Sequence, residues 1–490
     1  MLFAKNVING LGASAVSIAK WTDSFMLIDL PFIFIIALKM KPRKRNIKKH
    51  LIPFSCTLLL CAAVIGVQFT QFEKSNMISD VKLYPLLLSP IGNHMYDLYK
   101  FASKNADKLD SDKVNAVDSW LKDNAKYQAS DPSYANLHGL IKGKNIIAIH
   151  VESLENIMVN HSFYGQEITP NINRLLNSSI YFNNIHEQVK DGNSSDAELM
   201  VNASVYPISE GSAFLRFGEN RYVTLPKLLK EEGYTTMAIH GDDKAFWNRD
   251  QVYPLLGYDK FVDEDQFDDK RSCGMGILDA SLFAQTITEI KKINQPFFMS
   301  VITVTSHIPF TLDQDLKTLD LPYNDVTSDY LQCINYVDKV FGQFYDRLKA
   351  EGILDNTVLI LYGDHEGIHK YYDTSLPDNN KEIPFMIIIP GFQGLVIDRI
   401  GGQIDIMPTL AYLLGIDKEK YAASVMGQNL FGSAPGATIL SNGEILGTAN
   451  DKDHLREAQK ISDIIVKGNY FYAKESVRQG NVLSDIGGKK

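Results

Sequence analysis

The sequence predicts an α/β protein in which a mostly parallel sheet is sandwiched by helices, standing after an N-terminal membrane region. Three observations carry this. From Lys144 onward, short β-branched and aromatic runs alternate with amphipathic helical runs, as in parallel strands joined by helical crossovers. Two apolar segments flank a basic loop near the N-terminus. Metal- and anion-binding residue types recur just after the strand runs, where ligands bind in open α/β sheets.

With 490 residues the chain can hold a large core and more than one domain. A hydrophobic share of 45% is ordinary, so any membrane part is local, and a net charge of −9 argues against nucleic acid as a partner. Of the four cysteines, Cys56 and Cys61 lie in an apolar run, while Cys273 and Cys333 have no C-x-x-C spacing. A 273–333 disulfide is open, but no disulfide scaffold or zinc–thiolate site is present.

Residues 1–20 are mildly apolar. The segments 21–38 and 51–70 are candidate membrane spans, separated by seven basic residues within 39–49. A basic loop between two spans is cytoplasmic, which puts everything after Thr70 outside the membrane. No A-x-A-like cleavage site follows the second span, against a signal peptide. The expected organisation is a membrane region at 1–70, a helical stem at 71–143, an α/β domain at 144–435 and a C-terminal extension at 436–490. Within the stem, 82–100 and 113–126 show helical apolar spacing, and Asp131-Pro132-Ser133 breaks it.

The strand 145–151 (NIIAIHV) comes first, and Thr169-Pro170-Asn171 opens a helix. Helix 225–232 precedes strand 234–240 (YTTMAIH), and helix 280–290 precedes strand 296–305 (PFFMSVITVT). Helix 329–351 leads into strand 357–362 (TVLILY), followed by strand 384–389 (PFMIII) and helix 404–414.

The chain is organised around Asp191-Gly192-Asn193-Ser194-Ser195-Asp196-Ala197-Glu198, a glycine turn running into an acidic helical segment. A hydroxyl there lies at a helix start that attracts anions. Taken singly it reads as an N-cap. The strand ends change that: His150 and Glu152 follow the first strand, His240 and Asp242 the second, His307 the third, and Asp364 and His365 the fourth, with Trp247 and Arg249 close behind the second. Glu152, Asp364 and His365 form a mixed oxygen–nitrogen set suited to Mn²⁺ or Zn²⁺, and Ser194 Oγ completes the shell as an activated nucleophile. Arg249, His240 and His307 suit the non-bridging oxygens of a phosphoryl group, and Asp242, His150 and Trp247 the polar remainder of a substrate.

These stretches carry a resemblance. Ile149-His150-Val151-Glu152-Ser153, Gly192 to Glu198, Gly211-Ser212-Ala213-Phe214, His240-Gly241-Asp242, Phe246-Trp247-Asn248-Arg249-Asp250, Thr305 to Phe310, Tyr362-Gly363-Asp364-His365 and Gly402 to Thr409 are similar, in order and spacing, to the extracellular domain of lipoteichoic acid synthases. These are phosphoglycerol transferases of the alkaline phosphatase/sulfatase superfamily. The resemblance implies that fold, Mn²⁺ (with Mg²⁺ or Zn²⁺ as alternatives), and transfer of sn-glycerol 1-phosphate from phosphatidylglycerol through a covalent glycerophosphoryl-enzyme. The acceptor would be a polyglycerophosphate chain or a glycolipid. It implies Ser194 as nucleophile, Glu152, Ser194, Asp364 and His365 as the metal shell, and His150, His240, Asp242, Trp247, Arg249 and His307 as glycerophosphate contacts. It also implies a multi-pass protein of the cell membrane with its catalytic domain extracellular.

Three features depart from the family pattern. Ser194 stands where the family usually has Thr, and Asn193 where it commonly has a phosphate-contacting Lys, with Lys190 and Lys244 as the candidates to fill that gap. Two candidate spans replace the usual five, the mark of an incomplete or shortened relative. Among rivals, a sulfatase needs a C-x-P-x-R stretch that Cys273-Gly274-Met275-Gly276 does not supply. A phosphoethanolamine transferase would not carry Phe246 to Asp250, and a non-catalytic tethered binding module would not keep the metal set. The topology is testable: tags in loop 39–49 should stay protected on intact cells and a C-terminal tag should be labelled, and a protected C-terminus would refute it.

Overall fold

A computed structural model describes residues 109–478, and the expected spans, the basic loop and the helical run 82–100 lie outside the described residues. No described helix is long and apolar enough to cross a membrane.

The sheet forms around β1 (Asn145–Val151), whose seven residues are all buried. It is flanked in parallel by β6 (Thr357–Gly363) and β5 (Phe297–Ile302). Beyond β5 lie β3 (Thr235–His240) and the short β4 (Lys260–Val262), also parallel. On the other side β7 (Glu382–Ile388) pairs antiparallel with both β6 and β2 (Ser179–His186). The edge strands β8 (Leu395–Ile397) and β9 (Gly401–Gly402) run parallel to β2. The nine-stranded order is β8-β2-β7-β6-β1-β5-β3-β4, with β9 also on β2. The sheet is thus mixed but mostly parallel, with β7 alone reversed.

Strand side chains alternate between faces, and this alternation sorts the core in two. Ile146, Ala148, Val358, Ile360, Phe298, Phe385 and Ile387 join one cluster. Ile147, Ile149, Leu359, Leu361, Met299, Met386 and Ile388 join the other. Helices α2 (Ser194–Ala203), α3 (Leu225–Glu231), α4 (Arg249–Leu256) and α7 (Ile406–Leu413) cover the first face. Helices α5 (Asp279–Ile290) and α6 (Val326–Ala350) cover the second. Because both faces are covered, the strands read as continuous apolar runs. Helix starts follow their caps: Asp325 accepts the Ser328 amide at 2.8 Å on α6, and Thr224 caps α3 with Pro226 behind it.

Several boundaries differ from the sequence expectation. Strand 296–305 stops at Ile302, because Thr303 and Thr305 turn their hydroxyls to the amides of Glu152 and Asp279. Strand β2 was not anticipated, since Asn183-Asn184 interrupts its apolar run. Cys273 and Cys333 are free thiols, so the open 273–333 disulfide is absent.

The second helix of the expected stem is α1 (Ser111–Asn124), and it belongs to the same compact unit as the α/β core. Val117, Trp120 and Leu121 are buried in the first cluster. Within the expected C-terminal extension, the hairpin β10 (Ala437–Ile439) and β11 (Ile445–Gly447) precedes α8 (Lys452–Lys467) and α9 (Tyr470–Arg478). Helix α8 packs on α1: the Trp120 ring stacks on His454 at 4.2 Å, and its Nε1 donates to the His454 carbonyl at 3.0 Å. Trp120→Ala should therefore cost about 3–5 kcal/mol of stability. Urea unfolding of a fragment beginning near residue 109 checks this, and an unchanged midpoint would mean that α1 is an independent stem.

Candidate active site

The carboxyl ends of β1, β3, β5 and β6 meet at one edge of the sheet, as parallel pairing of these strands requires. Asp364 follows β6 and has no solvent exposure. Its position is forced by Gly363, where an added Cβ would sit 2.2 Å from the Leu154 carbonyl oxygen. The amides of Ser153 and His365 donate to Asp364 Oδ1 at 2.7 and 2.8 Å. Gln403 Nε2 donates to the Asp364 carbonyl, and the Gln403 Oε1 accepts the Gln188 amide at 2.9 Å.

Glu152 is held from three sides. Thr303 Oγ1 accepts its amide, Ser306 Oγ donates to its carbonyl, and Ser153 Oγ donates to its Oε1 at 2.8 Å. The Ser194 hydroxyl donates to Glu152 Oε2 at 3.2 Å, and His365 Nε2 lies 3.5 Å from Oε1 and 3.4 Å from Asp364 Oδ2. His365 Nδ1 donates to the Glu366 carbonyl at 2.7 Å, which leaves Nε2 as the free lone pair. The structure therefore brings Glu152, Ser194, Asp364 and His365 together.

His150 joins the same cluster. One ligand atom each from His150, Glu152 and Asp364 lies within 4.8 Å of the others. His150 Nε2 and Asp364 Oδ2 are 3.0 Å apart, yet among the described residues neither atom completes a hydrogen bond. Orphaned buried atoms in a mixed oxygen–nitrogen set fit a divalent cation. The electrostatics agree. Burial, then the charge of Asp364, pushes Glu152 well above the usual carboxylate range. Burial also works against the Asp364 anion, but the imidazoles of His365 and His150 and the Ser153 amide hold it well below that range. Two carboxylates this close do not both ionise unless a cation joins them. Burial pushes His365 down to about 4 against the pull of Asp364, so its imidazole is neutral and fit to ligate.

Ser194 opens α2, and the turn before it is tied by Asp196, whose Oδ2 accepts the amides of Lys190 and Gly192, each at 3.0 Å. Gly192 lies so close that an added Cβ would meet Asp196 Oδ1 at 2.1 Å. Ser195 Oγ is turned away from Glu152 and spent on the Gly192 carbonyl (2.7 Å) and Ser212 Oγ (2.9 Å).

The remaining predicted residues surround this cluster. His240 Nδ1 donates to the Ile302 carbonyl at 2.9 Å and His307 Nδ1 to the Ile308 carbonyl at 2.6 Å, so both rings turn Nε2 outward. Burial lowers both, and the nearby Arg249 charge adds to the effect, so they are neutral and their Nε2 atoms are acceptors. Arg249 is 2% exposed; its Nε and Nη2 donate to Glu198 Oε1 at 3.1 and 2.7 Å, and Nη1 has no partner among the described residues. Asp242 keeps Oδ2 unpartnered among those residues, and burial raises its carboxyl to about 6. Trp247 and Asn248 hold φ of 55° and 60°. Such strain in consecutive non-glycine residues occurs where the surroundings fix it, and here Asn248 Nδ2 donates to the Phe214 carbonyl at 3.0 Å.

Comparison with known proteins places this arrangement. A family model described as Sulfatase matches residues 144–416, more than half of the chain, and one described as Lipoteichoic acid synthase N-terminal domain matches residues 1–110. Lipoteichoic acid synthase 1 of Bacillus subtilis is 33% identical over 473 residues, covering 90% of this chain and 72% of the relative. The chain belongs to the lipoteichoic acid synthase family. Lipoteichoic acid synthase of Staphylococcus aureus is 31% identical over 467 residues, covering 90% and 71%. The crystal structure of the lipoteichoic acid synthase LtaP from Listeria monocytogenes superposes with a TM-score of 0.59 at 29% identity, covering 70% of this chain and 98% of that one. The Streptococcus pyogenes phosphoglycerol transferase GacH shares the fold, with a TM-score of 0.53 at 15% identity, covering 76% and 98%.

Sequence reasoning missed the residues that hold this family member's site in place. Glu198 binds Arg249 and accepts the Tyr253 hydroxyl at 2.7 Å, and Glu155 accepts the Gly367 amide at 2.9 Å and His369 Nδ1 at 2.7 Å. A buried carboxylate near a buried arginine is the only signal, and it needs the fold to be seen. Glu198→Ala should cost about 3–5 kcal/mol, because it leaves a buried guanidinium unpaired. Chemical denaturation measures this, and a loss below about 1 kcal/mol would show that other groups carry the Arg249 charge.

Proposed function

We propose that this enzyme, of the phosphoglycerol transferase class, moves glycerol phosphate from phosphatidylglycerol to a polyglycerophosphate or glycolipid acceptor through a covalent Ser194 intermediate. The observation that carries this is the Ser194 hydroxyl, set at a helix start and 3.2 Å from Glu152 Oε2 inside a cluster built for a divalent cation. Glu152, Asp364, His365 and Ser194 would hold Mn²⁺, with Mg²⁺ or Zn²⁺ as alternatives; a cation bound there lowers the pKa of the Ser194 hydroxyl and offsets phosphate charge.

The chain's own residues do the rest. Ser194 Oγ gives up its hydroxyl proton and forms a bond to the donor's phosphorus as the bond to the diacylglycerol oxygen breaks, and the leaving alkoxide takes up a proton, so the two proton transfers balance. An acceptor hydroxyl then forms its bond to the same phosphorus, the Ser194–phosphorus bond breaks, and the serine hydroxyl is restored. Arg249 Nη1 donates to a phosphate oxygen, while Glu198 fixes the guanidinium plane. The neutral Nε2 atoms of His240 and His307 accept hydrogen bonds from hydroxyls, those of glycerol or of the acceptor, which refines their expected role as direct phosphate holders. Asp242 and Trp247 face the glycerol moiety, and His150 supports Asp364.

The membrane region at 1–70, the extracellular placement of the α/β domain and the use of phosphatidylglycerol in the bilayer form part of this proposal. The expected domain limits enter it in amended form, with the catalytic unit taken to begin at α1.

Incubation with labelled phosphatidylglycerol tests it. The parent and Ser195→Ala should form a glycerophosphoryl-enzyme, Ser194→Ala should form none, and Ser194→Thr should keep some activity. Chelation should abolish turnover and Mn²⁺ restore it, and Asp364→Asn should lose bound metal. An adduct in Ser194→Ala that is lost in Ser195→Ala would move the nucleophile to Ser195.

A further inference from the structure

The protein brings little net positive charge to a bound phosphate. Glu152 and Asp364 contribute two carboxylates, Arg249 is matched by Glu198, and His240 and His307 are neutral. A divalent cation balances the carboxylates, so a phosphodiester adds an anion for which these residues supply no net charge. The two candidates named from the sequence do not fill the gap. Lys244 Nζ is 3.1 Å from Asp265 and 3.4 Å from Asp263. Lys190 lines a different cavity, with Tyr206, Leu440 and Gln459, whose lining includes none of the metal-type residues.

Lys370 is placed to do so. It lies six residues after Asp364 on the single helical turn Ile368–Tyr371. That turn is pinned on one side by the buried Glu155, which accepts the amides of Gly367 and His369 at 2.9 and 3.1 Å. On the other side the Tyr371 hydroxyl meets Asn193 Nδ2 at 3.4 Å, and the Tyr371 ring stands edge-on to His365 at 6.3 Å. The turn therefore spans from the residue preceding Ser194 to a metal-type histidine. Lys370 is half-buried, and its ammonium has no hydrogen bond or ion pair among the described residues. Its charge acts on both His365 and Asp196.

We infer that the Lys370 ammonium binds the phosphate of the substrate, supplying from the loop after β6 the positive charge that Asn193 does not carry. The inference rests on the phosphoryl-transfer function proposed above. A cation free of protein partners at the rim of a site of negative protein charge favours an anion over a neutral ligand, and it strengthens as charge develops on the phosphate.

The test uses the full chain in phosphatidylglycerol vesicles with Mn²⁺, comparing Lys370→Met, Lys370→Arg, Asn193→Lys and the double variant Lys370→Met/Asn193→Lys. Lys370→Met should lower kcat/KM by about ten- to a hundredfold with an unchanged melting temperature. Lys370→Arg should stay within about threefold of the parent, as should Asn193→Lys, and the double variant should recover most of the loss because the charge is restored from the neighbouring position. Lys370→Met at parental kcat/KM overturns the inference. So does a loss that neither arginine nor Asn193→Lys repairs, since that marks a structural role. Failure of the underlying function looks different: the parent itself would transfer no glycerophosphate and form no Ser194 adduct, and both proposals would fall.

Discussion

A carboxylate with no solvent exposure, Asp364, sets the terms for its surroundings. Taking such a charge out of water is expensive unless donors and counter-charges surround it. Its neighbours supply them: two amides on one oxygen, imidazoles near the other, and Gln403 on its main-chain carbonyl. Those donors come from β1, β6 and the turn before α7, so the pairing of Val151 with Gly363 in adjacent strands is a condition of the site as well as of the sheet. The glycine before Asp364 leaves room for the Leu154 carbonyl, which follows β1.

A second layer determines which groups can react. Asp196 ties down the turn before α2, and Ser195 is consumed in bonds to Gly192 and Ser212, so of these two serines Ser194 alone faces Glu152. Backbone carbonyls fix the tautomers of His240, His307 and His365, which makes all three present Nε2. Glu198 holds one edge of Arg249 and leaves Nη1 unclaimed. These are small orientation effects, but each decides whether a group donates, accepts or ligates.

Much of this was legible in the sequence, for physical reasons. Strands β1, β3, β5, β6 and β7 are buried on both faces and so read as unbroken apolar runs, and the histidines and carboxylates just past four of them fell on one edge. Strand β2 was hidden by Asn183-Asn184, which sit half-exposed. Residue types pointed to the cluster that could hold a metal, but partner choice did not show, because Arg249–Glu198 and His369–Glu155 join residues 51 and 214 positions apart. Proximity in sequence misled for the missing cation: Lys190 and Lys244 lie near Ser194 or Arg249 along the chain, yet each is engaged or placed elsewhere. The spans, in turn, remain a matter of hydropathy and of the family match over residues 1–110.

The clasp between α1 and α8 has a consequence for how the protein is made. Trp120 waits for a carbonyl 334 residues further along the chain, and Asn124 for His454, 330 residues on. Helix α1 thus cannot complete the cover of Trp120 until α8 has been synthesised. Contacts of such long sequence separation close slowly, and the surfaces they will cover stay open meanwhile. A nascent chain interrupted before α8 would carry every residue of the reaction centre and still leave Trp120 without its stacking partner, so α8 acts as a late seal on α1.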